Sequence, residues 1–247
     1  MNTDDDGMPF SGIYQMKFSP RDFFDLDQFR FRELFEDVEL VWQVLGERLE
    51  DYIAATLVPE IHGRVMDGAW LLSDRICVGE GTIVEPGALI KGPAIIGKNC
   101  EIRHAAYLRE NVVIGDNCVV GHATELKGCV LLNHVEAGHF AYVGDSVVGN
   151  NVMFGAGTKL ANYKVNGTEV IVHDGETDHP TGLVKLGAII GDGCKFGCNS
   201  VTNPGTIMER NCIVMPASCA RGCIAAGSTI EGLTPRRPSP AKTRSPS

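Results

Sequence analysis

From Val78 onward, aliphatic residues recur at every sixth position: Val78, Val84, Ile90, Ile96, Ile102, Leu108, Ile114, Val120, Leu126 and Leu132. A small or β-branched residue stands two places before each next aliphatic, as at Thr82, Ala88, Ala94, Cys100, Ala106, Val112 and Cys118. Gly often follows the aliphatic directly, as in Ile96-Gly97 and Ile114-Gly115. The phase is lost over Asn133–Asp145 and resumes at Val148, Phe154 and Leu160. It is lost again from Asn162 to Lys185, then returns at Ile190, Phe196, Thr202, Met208, Val214, Ala220 and Ala226. A period of six matches neither the 3.6 of a helix nor the alternation of a half-buried strand. It predicts a prism-shaped parallel β-helix, with one short strand per hexad, a turn at each corner, and three hexads to a coil of about eighteen residues. Each aliphatic points into the prism, and Gly or Asn takes the corner dihedrals that other residues resist.

The flanks break this pattern. Residues 1–19 are expected to be disordered. In residues 20–62, apolar positions at Phe23, Phe24, Leu34, Phe35, Val38, Val41, Leu45, Leu49 and Ile53 follow helical spacing, and Ser19-Pro20 is a helix start. Two helices are predicted, their aromatic face packed on a coil end or on a neighbouring subunit. The β-helix is assigned to residues 63–232. Residues 233–247, rich in Pro, Ser, Arg and Lys, read as a basic flexible tail.

Charge and cysteine content narrow the function. Twenty-two Lys and Arg against 31 Asp and Glu give a formal charge of −9, which argues against general nucleic-acid binding. No apolar run reaches membrane-spanning length, and the acidic Met1-Asn2-Thr3-Asp4-Asp5-Asp6 is no secretory signal, so a soluble, cytoplasmic protein is expected. Nine cysteines include no CxxC pair and no matching His spacing, so neither a structural metal nor a disulfide framework is expected. Cys100, Cys118, Cys194 and Cys212 all fall on the small interior site and read as inert packed thiols.

A repeat does structural work, so its two interruptions are where function is sought. Asn162 lies eighteen residues after Gly144, which brings it one coil above the first interruption. The motif Ala137-Gly138-His139-Phe140-Ala141-Tyr142-Val143-Gly144-Asp145, followed by Gly155-Ala156-Gly157-Thr158 and Asn162-Tyr163, resembles the acetyltransferase half of the bifunctional glucosamine-1-phosphate acetyltransferase/N-acetylglucosamine-1-phosphate uridyltransferase family. Leu186-Gly187-Ala188-Ile189-Ile190-Gly191-Asp192-Gly193 and Asn203-Pro204-Gly205 are similar to the acetyltransferase tails of archaeal-type sugar-1-phosphate nucleotidylyltransferases. The resemblance covers about residues 78–230. It implies a mainly β, left-handed parallel β-helix that forms a homotrimer, with acetyl-CoA and sugar sites between subunits. The nucleotidyltransferase half of such proteins has no counterpart in the residues before Val78.

The resemblance also assigns roles. His139 matches the catalytic base, Tyr142 a tyrosine on the sugar phosphate, and Asn162 an asparagine that positions substrate. Arg103 and Lys127 match phosphate-holding cations, and Lys185, Cys198 and Ala226 fall at acetyl-CoA positions. Taking a proton from an ammonium requires a base that titrates near neutrality, which suits imidazole. From position alone, His139 is a loop histidine bonded to a carbonyl, Tyr142 and Asn162 cap turns, and Arg103 and Lys127 are solvated corner charges. Thr168 and Ile171 replace lysines of the resembled family, as do Leu183 and Val184 basic residues, while Lys164 is the replacement cation the sequence offers. His104, His122, His134, His173 and His179 receive no role and read as surface or corner residues. The expected function is acetyl-CoA-dependent N-acetylation of an amino-sugar 1-phosphate in nucleotide-sugar biosynthesis. The alternative is a non-catalytic trimeric β-helix scaffold or sugar-nucleotide-binding subunit.

Overall fold

Three parallel sheets of ten, eight and eight strands form the faces of a prism, and successive strands of the chain step from one face to the next. This is the computed structural model of the chain; it describes residues 16–232 and the backbone of 234–236. The architecture is the mainly β, left-handed parallel β-helix expected from the repeat and the resemblance. The first face begins with Arg64–Val65, the second with Trp70–Leu71 and the third with Ile76–Val78. The first face ends in an antiparallel pair, Thr229–Glu231 with Thr234–Arg236, which is the described part of the expected tail.

The interior is a column of aliphatics. Val84, Ile102, Val120 and Ala137 stack on the first face, and Ile90, Leu108, Leu126 and Val143 on the second, all buried. Burying each large side chain is worth about 1.5–3 kcal/mol. The edge between the third and first faces carries Asn99, Asn117, Asn151 and Asn211 at φ of 52° to 59°, a left-handed conformation that Asn tolerates best after Gly.

The hexad frame needs correction in two places. Leu131, not Leu132, lies over Ile114, and Val148 lies over Leu131. Each of these coils is one residue short, so Asn133–Asp145 is a regular part of the helix with Ala137 and Val143 inside, not an interruption. Near the C-terminal end, Ile224 and Ile230 take the inward positions, and Ala226 is exposed.

The N-terminal segment also departs from expectation. It holds a four-residue α-helix (Pro20–Phe23), two 3-10 turns (Arg32–Phe35, Val41–Val44) and one longer helix (Glu47–Thr56), not two regular helices. Ser19 does start the first helix, its N–H donating to Asp22 Oδ2 at 3.0 Å, with Pro20 in the first turn. The segment packs on the outside of the third face, not on a coil end. Ile95, Val113, Val130, Val147, Ile189 and Ile207 point outward there and form one apolar cluster with Phe23, Phe24, Phe29, Leu34, Trp42 and Ile53. The cluster also takes in Met16 and Phe18, at the end of the segment expected to be disordered; residues 1–15 lie outside the described structure. The real interruption, 161–187, folds back over the same face as a hairpin of Ile171–His173 with Asp178–Pro180. Its Val170 and Val172 join the cluster, and His179 packs edge-on against Phe18 at 4.9 Å.

Candidate active site

Register fixes the site. On the first face, Val119–His122 pairs with Glu136–His139, so that His122 lies directly beside His139. The residue after each is left-handed, Ala123 and Phe140, and marks the edge between first and second faces. Along that edge the positions before the left-handed residue are His104, His122, His139, Ala156 and Cys198 in successive coils. His139 and Cys198 are both exposed there, and the structure brings both onto one edge. Arg103 is on the same edge beside His104, its guanidinium paired with Glu101 at 2.7 Å. Among the described residues, no side-chain hydrogen bond to the His139 ring is made within the chain. It is therefore not the carbonyl-satisfied loop histidine that position alone suggested.

Tyr142 begins the next strand, Tyr142–Gly144, on the second face, and at its far end the chain turns through Asp145 in a left-handed conformation. Asp145 organises this second edge. Its carboxylate takes the Lys127 ammonium at 2.8 Å, with both side chains about 85% removed from water at 16% and 15% exposure. Asn162 Nδ2 donates to the other Asp145 oxygen and to Tyr142 Oη at 3.2 Å. Asn162 thus arrives one coil above the first motif as expected, with Asp145 rather than Gly144 as its partner. Burial first, then the Asp145 charge, push the Tyr142 phenol up, so it stays protonated and free to donate. Asp145 escaped the sequence reading, although its position in the Tyr-Val-Gly-Asp turn, one coil above Lys127, carried the signal.

His139 and Asn162 therefore stand at opposite edges of one face, with Tyr142 between them. Other predicted residues lie apart. Lys164 Nζ donates to Glu169 O at 2.7 Å within the hairpin excursion. Lys185 is exposed at the return of that excursion, opposite Tyr163. Ala226 sits on the edge between third and first faces, its N–H donating to Glu209 Oε2 at 2.9 Å. Within one chain, Cys198 and Ala226 lie on different edges of the prism, and Lys185 lies at the return of the excursion. A cleft of about 620 Å³ lies elsewhere, between the N-terminal segment and the first coils, lined by Arg30, Glu60, His62, Cys77 and Lys98. The histidine edge is open to solvent in a single copy.

Residues 90–177 match the family model of the GMPPB C-terminal domain. The chain is 31% identical over 181 residues to the bifunctional protein GlmU of Methanococcus maripaludis, covering 73% of this chain and 43% of that protein. It is 32% identical over 102 residues to a bifunctional sugar-1-phosphate nucleotidylyltransferase/acetyltransferase of Sulfurisphaera tokodaii, covering 41% of this chain and 25% of that protein. The chain thus spans less than half the length of these bifunctional relatives. The match to the "putative uncharacterized acetyltransferase YaiX" of Escherichia coli (strain K12) is more even: 30% identity over 174 residues, 70% of this chain and 75% of that one.

Proposed function

Because the chain belongs to the hexapeptide-repeat acetyltransferase family of YaiX and of the β-helical parts of the GlmU proteins, we propose that it transfers an acetyl group from acetyl-CoA to the amine of an amino-sugar phosphate. The observation that carries this reading is His139: an exposed imidazole with no side-chain hydrogen bond among the described residues, on the same edge as Cys198 and across one face from the pinned group of Tyr142, Asn162, Asp145 and Lys127.

In this mechanism the His139 imidazole takes a proton from the acceptor ammonium, and the freed amine attacks the thioester carbonyl. The tetrahedral adduct sheds the second proton of its nitrogen to solvent and collapses, the C–S bond breaks, and the imidazolium gives its proton to the departing CoA thiolate. Tyr142 donates its phenolic proton to the acceptor and Asn162 fixes the phenol. Arg103, Lys127 and Lys164 are the cations available for a phosphate. Lys185, Cys198 and Ala226 are the cofactor contacts, and their separation within one chain fits a cofactor held between copies. The chain covers its own third face, which leaves the first and second faces, and the histidine edge between them, for packing into a homotrimer.

The non-catalytic scaffold reading is favoured by one feature: Asp145 already neutralises Lys127, and Thr168 and Ile171 stand where the resembled family has lysines. The deciding experiment offers the purified protein acetyl-CoA with glucosamine-1-phosphate and galactosamine-1-phosphate and follows free thiol, with the product mass as control. Thiol release that depends on the amino sugar supports the enzyme. Its absence with both sugars leaves the scaffold.

A further inference from the structure

The left-handed position on the histidine edge is filled in successive coils by Gly87, Ala105, Ala123, Phe140, Gly157, Asn199 and Ala217. Small residues or Asn are what this conformation admits; a bulky side chain at positive φ is strained. Phe140 has φ of 53°, and the residue is 55% exposed. The fold thus holds an aromatic ring in a costly conformation and shows it to solvent, next to His139. Strain of this kind collects where a site needs the side chain.

Phe140 is also the end of a strip. The His104 and His122 rings stack at 5.5 Å and 6°, and His122 meets Phe140 edge-on at 5.2 Å. Phe140 lies 6.4 Å from His139. His104 Nδ1 faces the Pro86 carbonyl at 2.7 Å and His122 Nδ1 the His104 carbonyl at 3.1 Å. A carbonyl only accepts, so each Nδ1 carries a proton, and a ring in its neutral form keeps Nε2 as an acceptor. The strip therefore combines an exposed aromatic face with acceptors for hydroxyl groups. On the other side of His139 the edge holds Ala156, Gly157, Cys198 and Asn199, a lining of short side chains beside the proposed thioester.

We infer that Phe140 and His122, with His104 behind them, form the acceptor subsite: the apolar face of the pyranose ring stacks on Phe140, and ring hydroxyls donate to His122 and His104 Nε2. The negative face of the phenyl ring attracts the polarised C–H groups of a sugar. Recognition then rests on the sugar ring, with the phosphate secondary, which accounts for a chain that carries Thr168 and Ile171 and keeps Lys127 tied to Asp145. The subsite rests on the reading of His139 as the transfer centre.

The test measures binding without turnover. Saturation-transfer NMR and calorimetry follow glucosamine and glucosamine-1-phosphate on the full chain, with CoA affinity as the internal control. The variants are Phe140→Gly, which relieves the strain and so keeps the fold, and His122→Ala. Both sugars are expected to bind with similar affinity, and saturation to reach the pyranose ring protons. Each variant is expected to weaken both sugars about five- to tenfold while CoA affinity holds. About 0.5 M NaCl is expected to leave sugar affinity unchanged, since the contact is not ionic. The inference is overturned if neither sugar binds, if only the phosphorylated sugar binds and is lost in salt, or if Phe140→Gly leaves affinity intact. It is also overturned if Phe140→Gly changes the oligomeric mass, which would make Phe140 a contact between copies. Sugar binding without acetyl transfer would remove the enzyme reading and keep the subsite; transfer that is indifferent to Phe140 would do the reverse.

Discussion

Replacing Lys127 by Met should destabilise the protein by leaving the Asp145 carboxylate without its cation in a site largely shut off from water. At 2.8 Å the two charges attract by about 6 kcal/mol at an effective dielectric constant of about 20, before the cost of desolvating both. Deleting one partner of a fully buried pair costs about 3–5 kcal/mol. The residual 15% and 16% exposure lets water recover part of that, so about 2–3 kcal/mol is expected for Lys127→Met. Asn162 continues to hold the second Asp145 oxygen, so the turn itself survives. Removing both charges in Lys127→Met/Asp145→Asn should regain most of the loss and give a coupling energy of about 2 kcal/mol. The assay is a double-mutant cycle by urea denaturation at one fixed protein concentration, because assembly adds to apparent stability. A coupling energy below about 0.5 kcal/mol would mean a solvated pair and would refute the description of Asp145 as the organiser of the second edge.

Trp42 is fully buried between Phe18 and the third face, so Trp42→Ala should cost about 3–5 kcal/mol and raise hydrogen exchange in 16–57 and 170–180 while the interior coils stay protected; unchanged exchange there would contradict the packing. Hydrogen bonds from His179, then from the Thr177 and Glu176 N–H groups, hold the Asp174 carboxyl down to about 2 from 3.8. A depressed carboxylate stabilises only while ionised, so this contribution to hairpin docking should be complete above about pH 4 and fade as pH falls toward about 2; exchange of the hairpin amides measures it, and loss between neutrality and about pH 5 would count against it. Burial pushes the Cys129 thiol up to about 12, and Cys100, Cys118, Cys194 and Cys212 are buried with it. Native protein treated with iodoacetamide should therefore label at Cys198, which is exposed, and not at these five until it unfolds. Labelling of Cys118 in the native state would contradict the interior.

The interior was legible because a six-residue period leaves its aliphatics unmistakable. Its exact phase was not, since a coil can lose one residue at a corner without opening the prism, as between Leu126 and Leu131. The covering of the third face was written in the sequence as an apolar residue just before the inward aliphatic in every third hexad: Ile95, Val113, Val130, Val147, Ile189 and Ile207. The period of six hides it, because the signal repeats once per coil. The same holds for His104 and His122, three hexads apart, and for His139, seventeen residues further on: no neighbouring hexads relate them, but successive coils bring them side by side. The short helical turns of the N-terminal segment follow from docking onto a flat sheet, where tertiary packing overrides local helical spacing. A motif singled out His139, Tyr142 and Asn162; the contacts that pin Tyr142 and Asn162, through Asp145, depend on register.

The proposed transfer stands or falls with His139 as the group that moves the proton. It is tested most directly by comparing His139→Ala with the unaltered protein under saturating acetyl-CoA and amino-sugar phosphate, following thiol release. In His139→Ala, kcat is expected to fall by about 10²–10⁴ while acetyl-CoA affinity and assembly are preserved. A variant that turns over at the full rate, with the same ligands bound, would contradict it.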